Sequence, residues 1–254
     1  MGELVVPARF HGPATSGNGG WVAGTLAGLL PDLPRDHAAG WPTVTVTLRR
    51  PPPLDVPIPV SGGVAADAAG PVATAAVVDA EPIPVEEVGA TEAADARTSY
   101  PGLVSHPFPT CFACGVGRAE DDGLRIFPGR VADDSEGRVR VASTWTPHPS
   151  TAEDRHAYTD GHRRASLAVT WASLDCVGGW AGDLAERLMV LGRITARVDT
   201  LPVVGEPHVV VGGARGSEGR KTFTAATLYD SDGRVVAVAE HVWIGVDPAA
   251  FGVR

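Results

Sequence analysis

The chain has 254 residues with 30 acidic against 21 basic side chains, a formal net charge of -9, and no basic stripe with interleaved aromatics, which argues against a nucleic-acid partner. No apolar run reaches the ~18 residues that a membrane span needs. The N-terminus shows no secretory pattern, and Cys111, Cys114 and Cys176 are too few and too odd for a disulfide framework, so a reducing, cytoplasmic setting is expected.

In chain order, Leu4 to Phe10 is short and apolar and runs into a turn rich in glycine, from His11 to Gly20. The pattern predicts a helix from Gly19 or Gly20 to Leu30, stopped by Pro31. Gly20, Gly24 and Gly28 form a stripe of small residues along it. Strand-like stretches follow at Thr43 to Arg49, Val56 to Val64 and Pro71 to Val78. Prolines at 51, 52, 53, 57 and 59 point to edge positions. From Ala80 to Thr98 the composition turns to Glu, Ala, Asp and Pro, read as an irregular strand and then a linker. A domain boundary is expected near Tyr100, dividing the chain into 1–99 and 100–254.

The second part opens with His106 to Gly115 and gives strand candidates at Gly123 to Val131 and Arg138 to Trp145. Pro147 to Arg164 is polar and reads as a loop. Ser166 to Leu184 is apolar on nearly every side, which predicts a buried helix. It carries one carboxylate, Asp175, on a stripe with Ala168, Ala172, Gly179 and Gly182. A buried charge is costly unless paired, so Asp175 is either matched by a structural partner or kept for chemistry. Four period-2 segments complete the chain: Leu188 to Asp199, Pro207 to Arg215, Arg220 to Tyr229 and Arg234 to Val246, the last two joined by a turn at Asp230 to Gly233. In the first of them Leu188, Val190, Ile194, Ala196 and Val198 are expected on one face and Met189 on the other.

Each half is thus one apolar, small-striped helix with three or four antiparallel strand candidates, an internal repeat of pattern. A helix buried on all sides must be wrapped by a curved sheet. The arrangement resembles the hotdog fold, and two in one chain resemble the double-hotdog acyl-CoA thioesterases. Cys111-Phe112-Ala113-Cys114-Gly115 followed by Gly123-Leu124 is similar to a signature of the phenylacetate-pathway type. Leu174-Asp175-Cys176-Val177-Gly178-Gly179 resembles that family's helical motif, whose Asp is catalytic. Asn18-Gly19-Gly20 resembles the His-Gly-Gly at the helix start, with Asn in place of His. The halves depart from the family in complementary ways, since Ser166-Leu167-Ala168 replaces the second glycine-rich start and Ala27 replaces the first carboxylate.

The resemblance implies an α+β architecture of two tandem hotdog domains, with one site between them built from Asn18, Gly19, Gly20 and Asp175. Amides of Gly19 and Gly20 at a helix N-terminus would hold the developing oxyanion, and Asp175 would activate water or attack directly. The substrate expected is an acyl-CoA or acyl-carrier thioester, with coenzyme A as part of the substrate and no further cofactor. Substrate-binding positions are Trp21, Trp171, Gly179, Arg163 and Arg164, with Arg49 and Arg50 as further phosphate candidates. Asp160 and His162 are candidates for a pocket mouth, and His148, His156 and His241 for surface or packing positions. Asn18 also fits an ordinary N-cap. Cys111 and Cys114 have ligand spacing, with His106 near and Cys176 a distant third thiol, so a structural zinc stands beside a packed turn as a reading; no metal is assigned to the site. Alternatives are a hotdog that binds acyl thioesters without turnover and a dehydratase or hydratase, for which no clean histidine match exists. A homo-oligomer of the double unit is a further expectation.

Overall fold

A computed structural model of the chain describes residues 2–31, 33, 40–152 and 160–251. Its elements are β1 (Gly2–Leu4), α1 (Gly19–Gly28), β2 (Val44–Leu48), β3 (Ile58–Ser61), β4 (Val64–Asp67), β5 (Gly70–Val77), α2 (Ala90–Ala96), β6 (Gly129–Arg130), β7 (Arg140–Trp145), α3 (Leu167–Ala181), β8 (Met189–Val198), β9 (His208–Glu218), β10 (Lys221–Tyr229) and β11 (Val235–Gly245). All strands join one antiparallel sheet in the order β1-β3-β4-β5-β2-β8-β11-β10-β9-β7-β6. Strand β2 meets β8 with Val44 opposite Ala196 and Thr47 opposite Arg193. The Thr45 and Thr195 hydroxyls lie 2.7 Å apart across that seam.

Both long helices start where a side chain can cap the first free amides. The Asn18 Oδ1 accepts the Trp21 N–H at 2.9 Å, and the Ser166 Oγ accepts the Val169 N–H at 3.1 Å. Helix α1 ends at Leu29, just short of Pro31, and α3 closes on Gly182. Every α3 residue except Ala168 is buried. The helices touch through their small residues. A Cβ on Gly20 would stand 2.6 Å from the Asp175 Cβ, and one on Gly24 would stand 2.8 Å from the Ala168 Cα. Away from α1, α3 packs on the sheet, with Gly178 against His241 and Gly179 under the Trp243 ring, both on β11.

Several elements depart from expectation. Val56 to Val64 is not one strand but the hairpin β3–β4, because Gly62 and Gly63 take φ of 55° and 77°, a left-handed turn that breaks the extended run. Gly123 to Val131 forms only the two-residue β6; Arg125 has φ 52°, which no extended strand tolerates. The stretch from Ala80 to Thr98 contains no strand but the helix α2, where alanines and Glu92 favour helix. In β8 the inward face changes phase at Gly192, which has no partner of its own because Leu191 pairs with Trp243 and Arg193 with Val242. This bulge turns Met189 and Leu191 into the core along with Ile194, Ala196 and Val198, so Met189 lies on the face opposite to the one expected.

The segment before the second run of strands covers the other face of the sheet. Val85, Val88, Ala93 and Ala96 pack with Ala142, Val209, Val211, Ala225 and Tyr229 in a second apolar cluster. The main core, which holds both helices, lies on the opposite side of the same strands, at Val141, Val210 and Leu228.

Candidate functional site

The turn that leads into α1 is pinned before the helix begins. Asn18 N–H donates to the Phe10 carbonyl at 2.8 Å, and Gly17 N–H to the Pro52 carbonyl at 2.9 Å. Phe10 stacks on Trp21 at 4.3 Å between centroids. This fixes Asn18 so that its two side-chain functions point apart: while Oδ1 caps the helix, Nδ2 donates to the Asp175 Oδ2 at 2.9 Å. Gly20 N–H donates to the same oxygen at 2.8 Å. Asp175 and Asn18 are both 2% exposed. The other carboxylate oxygen, Oδ1, has no hydrogen-bond partner among the described residues. Burial pushes the Asp175 carboxyl up to about 7, against the pull of the Gly20 amide and Asn18, with the Cys111 thiol adding to the upward push.

Asp175 and Gly19 line a cavity of about 280 Å³. Its wall is mostly apolar, with Leu184, Leu191, Trp243, Ile244 and Phe108 among its residues, and it includes Arg49, Arg50, Cys111, Cys114, Cys176 and His106. Residues from both sides of the β2–β8 seam contribute. The amide of Gly19, at the first helical position, donates to no described residue. Gly19 and Asp175 therefore line one chamber, and the Gly19 amide and the Asp175 Oδ1 are both without a partner among the described residues, a donor and an acceptor of the kind that polarises a carbonyl and moves a proton.

The structure brings Asn18, Gly19, Gly20 and Asp175 together, with one revision of roles. The Gly20 amide is engaged by Asp175 and is not free for a substrate oxygen, which leaves the Gly19 amide as the helix-start donor without a partner among the described residues. Five sequence candidates lie elsewhere. Trp21 stacks under Phe10, and Gly179 lies beneath Trp243. Trp171, together with Ala27, Trp41 and Leu167, lines a spot without room for a water molecule. Ala27 and Leu167, at the positions where the resemblance expected a second carboxylate and a second helix start, are among its lining residues. The Arg163 guanidinium reaches the Pro149 carbonyl, and Arg164 donates to the Leu201 carbonyl and pairs with Asp160. Neither arginine lines the cavity, and neither do Asp160 and His162. Of the cationic candidates Arg49 and Arg50 are the ones in its wall. Arg50 is paired with Asp67 at 2.7 Å, whereas the exposed Arg49 side chain donates to no described residue.

His148 accepts the Ser150 N–H in a short turn, His241 is buried, and His156 lies outside the described residues. Cys176, the distant third thiol of the sequence reading, is brought by α3 to Cys111 and Cys114 of the CxxC loop.

No protein-family model matches the sequence, and no curated protein matches it. Solved structures do. A hotdog-fold protein of unknown function from Alicyclobacillus acidocaldarius is similar over 97% of this chain and 93% of its own, with a TM-score of 0.57 and 12% identity. A candidate thioesterase II from Thermobifida fusca matches 96% of this chain and 92% of its own, with a TM-score of 0.55 and 13% identity. The tesB protein of Mycobacterium avium subspecies paratuberculosis matches 92% of this chain and 89% of its own, with a TM-score of 0.53 and 13% identity. The chain has a hotdog fold. Among the described residues no helix is long and apolar enough to cross a membrane.

Proposed function

We propose that the protein is a thioester hydrolase of two hotdog halves, divided near Tyr100, with one active site between them and acyl-CoA or an acyl-carrier thioester as substrate. The observation that carries this reading is the Asp175 carboxylate. It is buried in the wall of an apolar cavity that Gly19 also lines, held through Oδ2 by two donors, with Oδ1 unpartnered among the described residues. Leaving a carboxylate oxygen buried and unsatisfied costs stability, and a purely structural acid would be fully paired.

In the proposed reaction the acyl chain lies along the apolar wall with its carbonyl oxygen at Gly19 N–H. Asp175 Oδ1 takes a proton from a water as that water attacks the carbonyl carbon. The tetrahedral oxyanion is held by the amide and the positive end of α1. Collapse breaks the C–S bond, and the thiol leaves with the proton that Asp175 received. Arg49 is suited to a phosphate of the carrier group, since its charge is uncommitted among the described residues.

The test is thiol release from a panel of acyl-CoA esters, short to long, by the wild type and by Asp175→Asn. The amide keeps an acceptor for the Gly20 and Asn18 donors but cannot take a proton. Turnover by the variant is expected to fall by about 10²–10⁴-fold, the usual weight of a general base, with the circular dichroism spectrum unchanged. Undiminished turnover in Asp175→Asn would remove Asp175 from the chemistry. A wild type that binds an ester without cleaving any would leave a ligand-binding hotdog protein.

A further inference from the structure

The loop from His106 to Gly115 and the helix α3 bring all three cysteines of the chain to one point. The Sγ atoms of Cys111, Cys114 and Cys176 lie within 4.8 Å of one another, and those of Cys111 and Cys176 are 3.6 Å apart. All three are at most 9% exposed, and no disulfide joins them. The geometry points to a site for a thiophilic divalent cation, Zn²⁺, held by the thiolates of Cys111, Cys114 and Cys176 in the cavity wall beside Asp175. This goes beyond the proposed hydrolase reading and does not depend on it.

Spacing and chemistry both favour zinc. Sulfurs on a tetrahedral zinc at a Zn–S distance of ~2.3 Å stand roughly 3.8 Å apart, close to the separation of Cys111 and Cys176. Buried cysteines that merely fill space behave as small apolar side chains and need no donors. Here donors are aimed at the sulfurs. Asn18 Nδ2 lies 3.9 Å from the Cys111 and Cys176 Sγ atoms, and His106 Nε2 lies 3.3 Å from the Cys114 Sγ. Such donors stabilise thiolates and offset the net negative charge of three of them on one Zn²⁺. The soft, all-sulfur donor set excludes calcium and magnesium, which take oxygen ligands.

The fourth position belongs to the cavity. The His106 Nδ1 accepts the Phe108 N–H at 2.9 Å, which puts the ring proton on Nε2, where it is donated toward the Cys114 carbonyl at 3.1 Å and the Cys114 sulfur. His106 as placed is therefore a donor to a ligand, not a ligand. Three protein ligands with the remaining position on a chamber is the arrangement of an open zinc site.

The experiment starts with the whole wild-type protein, purified without chelators and exposed to zinc. Elemental analysis is expected to give one zinc per chain, thiols that a disulfide reagent reaches only slowly, and zinc release when a mercurial titrates them. After exchange with Co²⁺, an intense thiolate-to-metal charge-transfer band is expected in the near ultraviolet, and only these three residues can produce it because the chain has no other cysteine. Cys176→Ala should lose stoichiometric zinc and most of that band. Because a variant of a buried residue can misfold, the wild-type measurements decide. Three fast-reacting thiols with no bound zinc, an intact mass short by two hydrogens from a disulfide, or stoichiometric iron in place of zinc would each overturn the assignment.

Discussion

Asn18 and His241 show two ways in which a buried polar side chain is accommodated. Asn18 satisfies both ends of its amide, one on its own helix and one on Asp175. His241 is 2% exposed with its Nδ1 3.2 Å from the Thr224 hydroxyl, while its Nε2 has no hydrogen-bond partner among the described residues. It sits on β11 against Gly178 of α3 and Thr224 of β10, and no charged group contributes to its shift. Burial therefore pushes its pKa down, to about 4 from an ordinary 6.5. Above the ordinary value the ring is neutral in both states and costs nothing. As pH falls below it, the unfolded chain takes up a proton that the folded one refuses, and stability drops until the folded ring titrates at about 4. The loss is roughly 3 kcal/mol at ~1.4 kcal/mol per pH unit. The stability of the wild type relative to His241→Gln, from urea unfolding, should fall by about this amount between pH 7 and pH 4, since Asp175, whose raised carboxyl stabilises the fold as pH falls through the same window, contributes alike to both. An unchanged difference would mean that His241 is protonated without penalty.

At the scale of elements, the contact between α1 and α3 depends on what is absent from the side chains. A Cβ on Gly24 would meet Ala168 Cα and Trp171 Cβ at 2.8 Å, atoms with no freedom to swing aside. Gly28, one turn later, would place its Cβ 3.5 Å from the Leu167 Cδ2, an ordinary contact. Both glycines lie in the same helix, so both gain ~1 kcal/mol of helix propensity on going to alanine. Gly28→Ala should be neutral or stabilising by up to about 1 kcal/mol. Gly24→Ala should instead be destabilised by ~1–3 kcal/mol, because overpacking outweighs propensity. Thermal melts of the pair decide it, and equal melting temperatures would show that the helices can separate at no cost. The bulge at Gly192 works at the same scale, since one unpaired residue puts Met189 and Leu191 into the wall of the cavity.

For the whole molecule, the continuous sheet and the contact of the two helices make the two sides of the β2–β8 seam interdependent. The cavity has no complete wall without both, as Gly19 and Arg49 come from one side of the seam and Leu191 and Trp243 from the other. Unfolding should accordingly be a single cooperative step. Tryptophans lie on both sides, at Trp21 and Trp41 and at Trp145, Trp171, Trp180 and Trp243. Their fluorescence and the far-ultraviolet circular dichroism should follow one transition in urea, and two resolved midpoints would show that each half is stable alone.

Local pattern was enough for much of this. The two apolar helices, the strands of the last quarter and the position of Asp175 at the centre of α3 follow from periodicity, because helices and half-buried strands repeat at fixed intervals along the chain. The resemblance carried by Asn18-Gly19-Gly20 and by Asp175 named the residues that meet. Tertiary structure decided which partners each of them has there. The engagement of Gly20 N–H by Asp175, the displacement of Arg163, Arg164 and Trp171 from the cavity, and the gathering of Cys176 with the CxxC loop all join residues far apart in sequence. Periodicity reports which face of an element is apolar, but which distant group fills or binds at that face depends on how the elements pack. The phase change in β8 and the left-handed turn at Gly62 and Gly63 were beyond pattern for a related reason. A glycine marks where the backbone is free, and only the surrounding packing determines how that freedom is used.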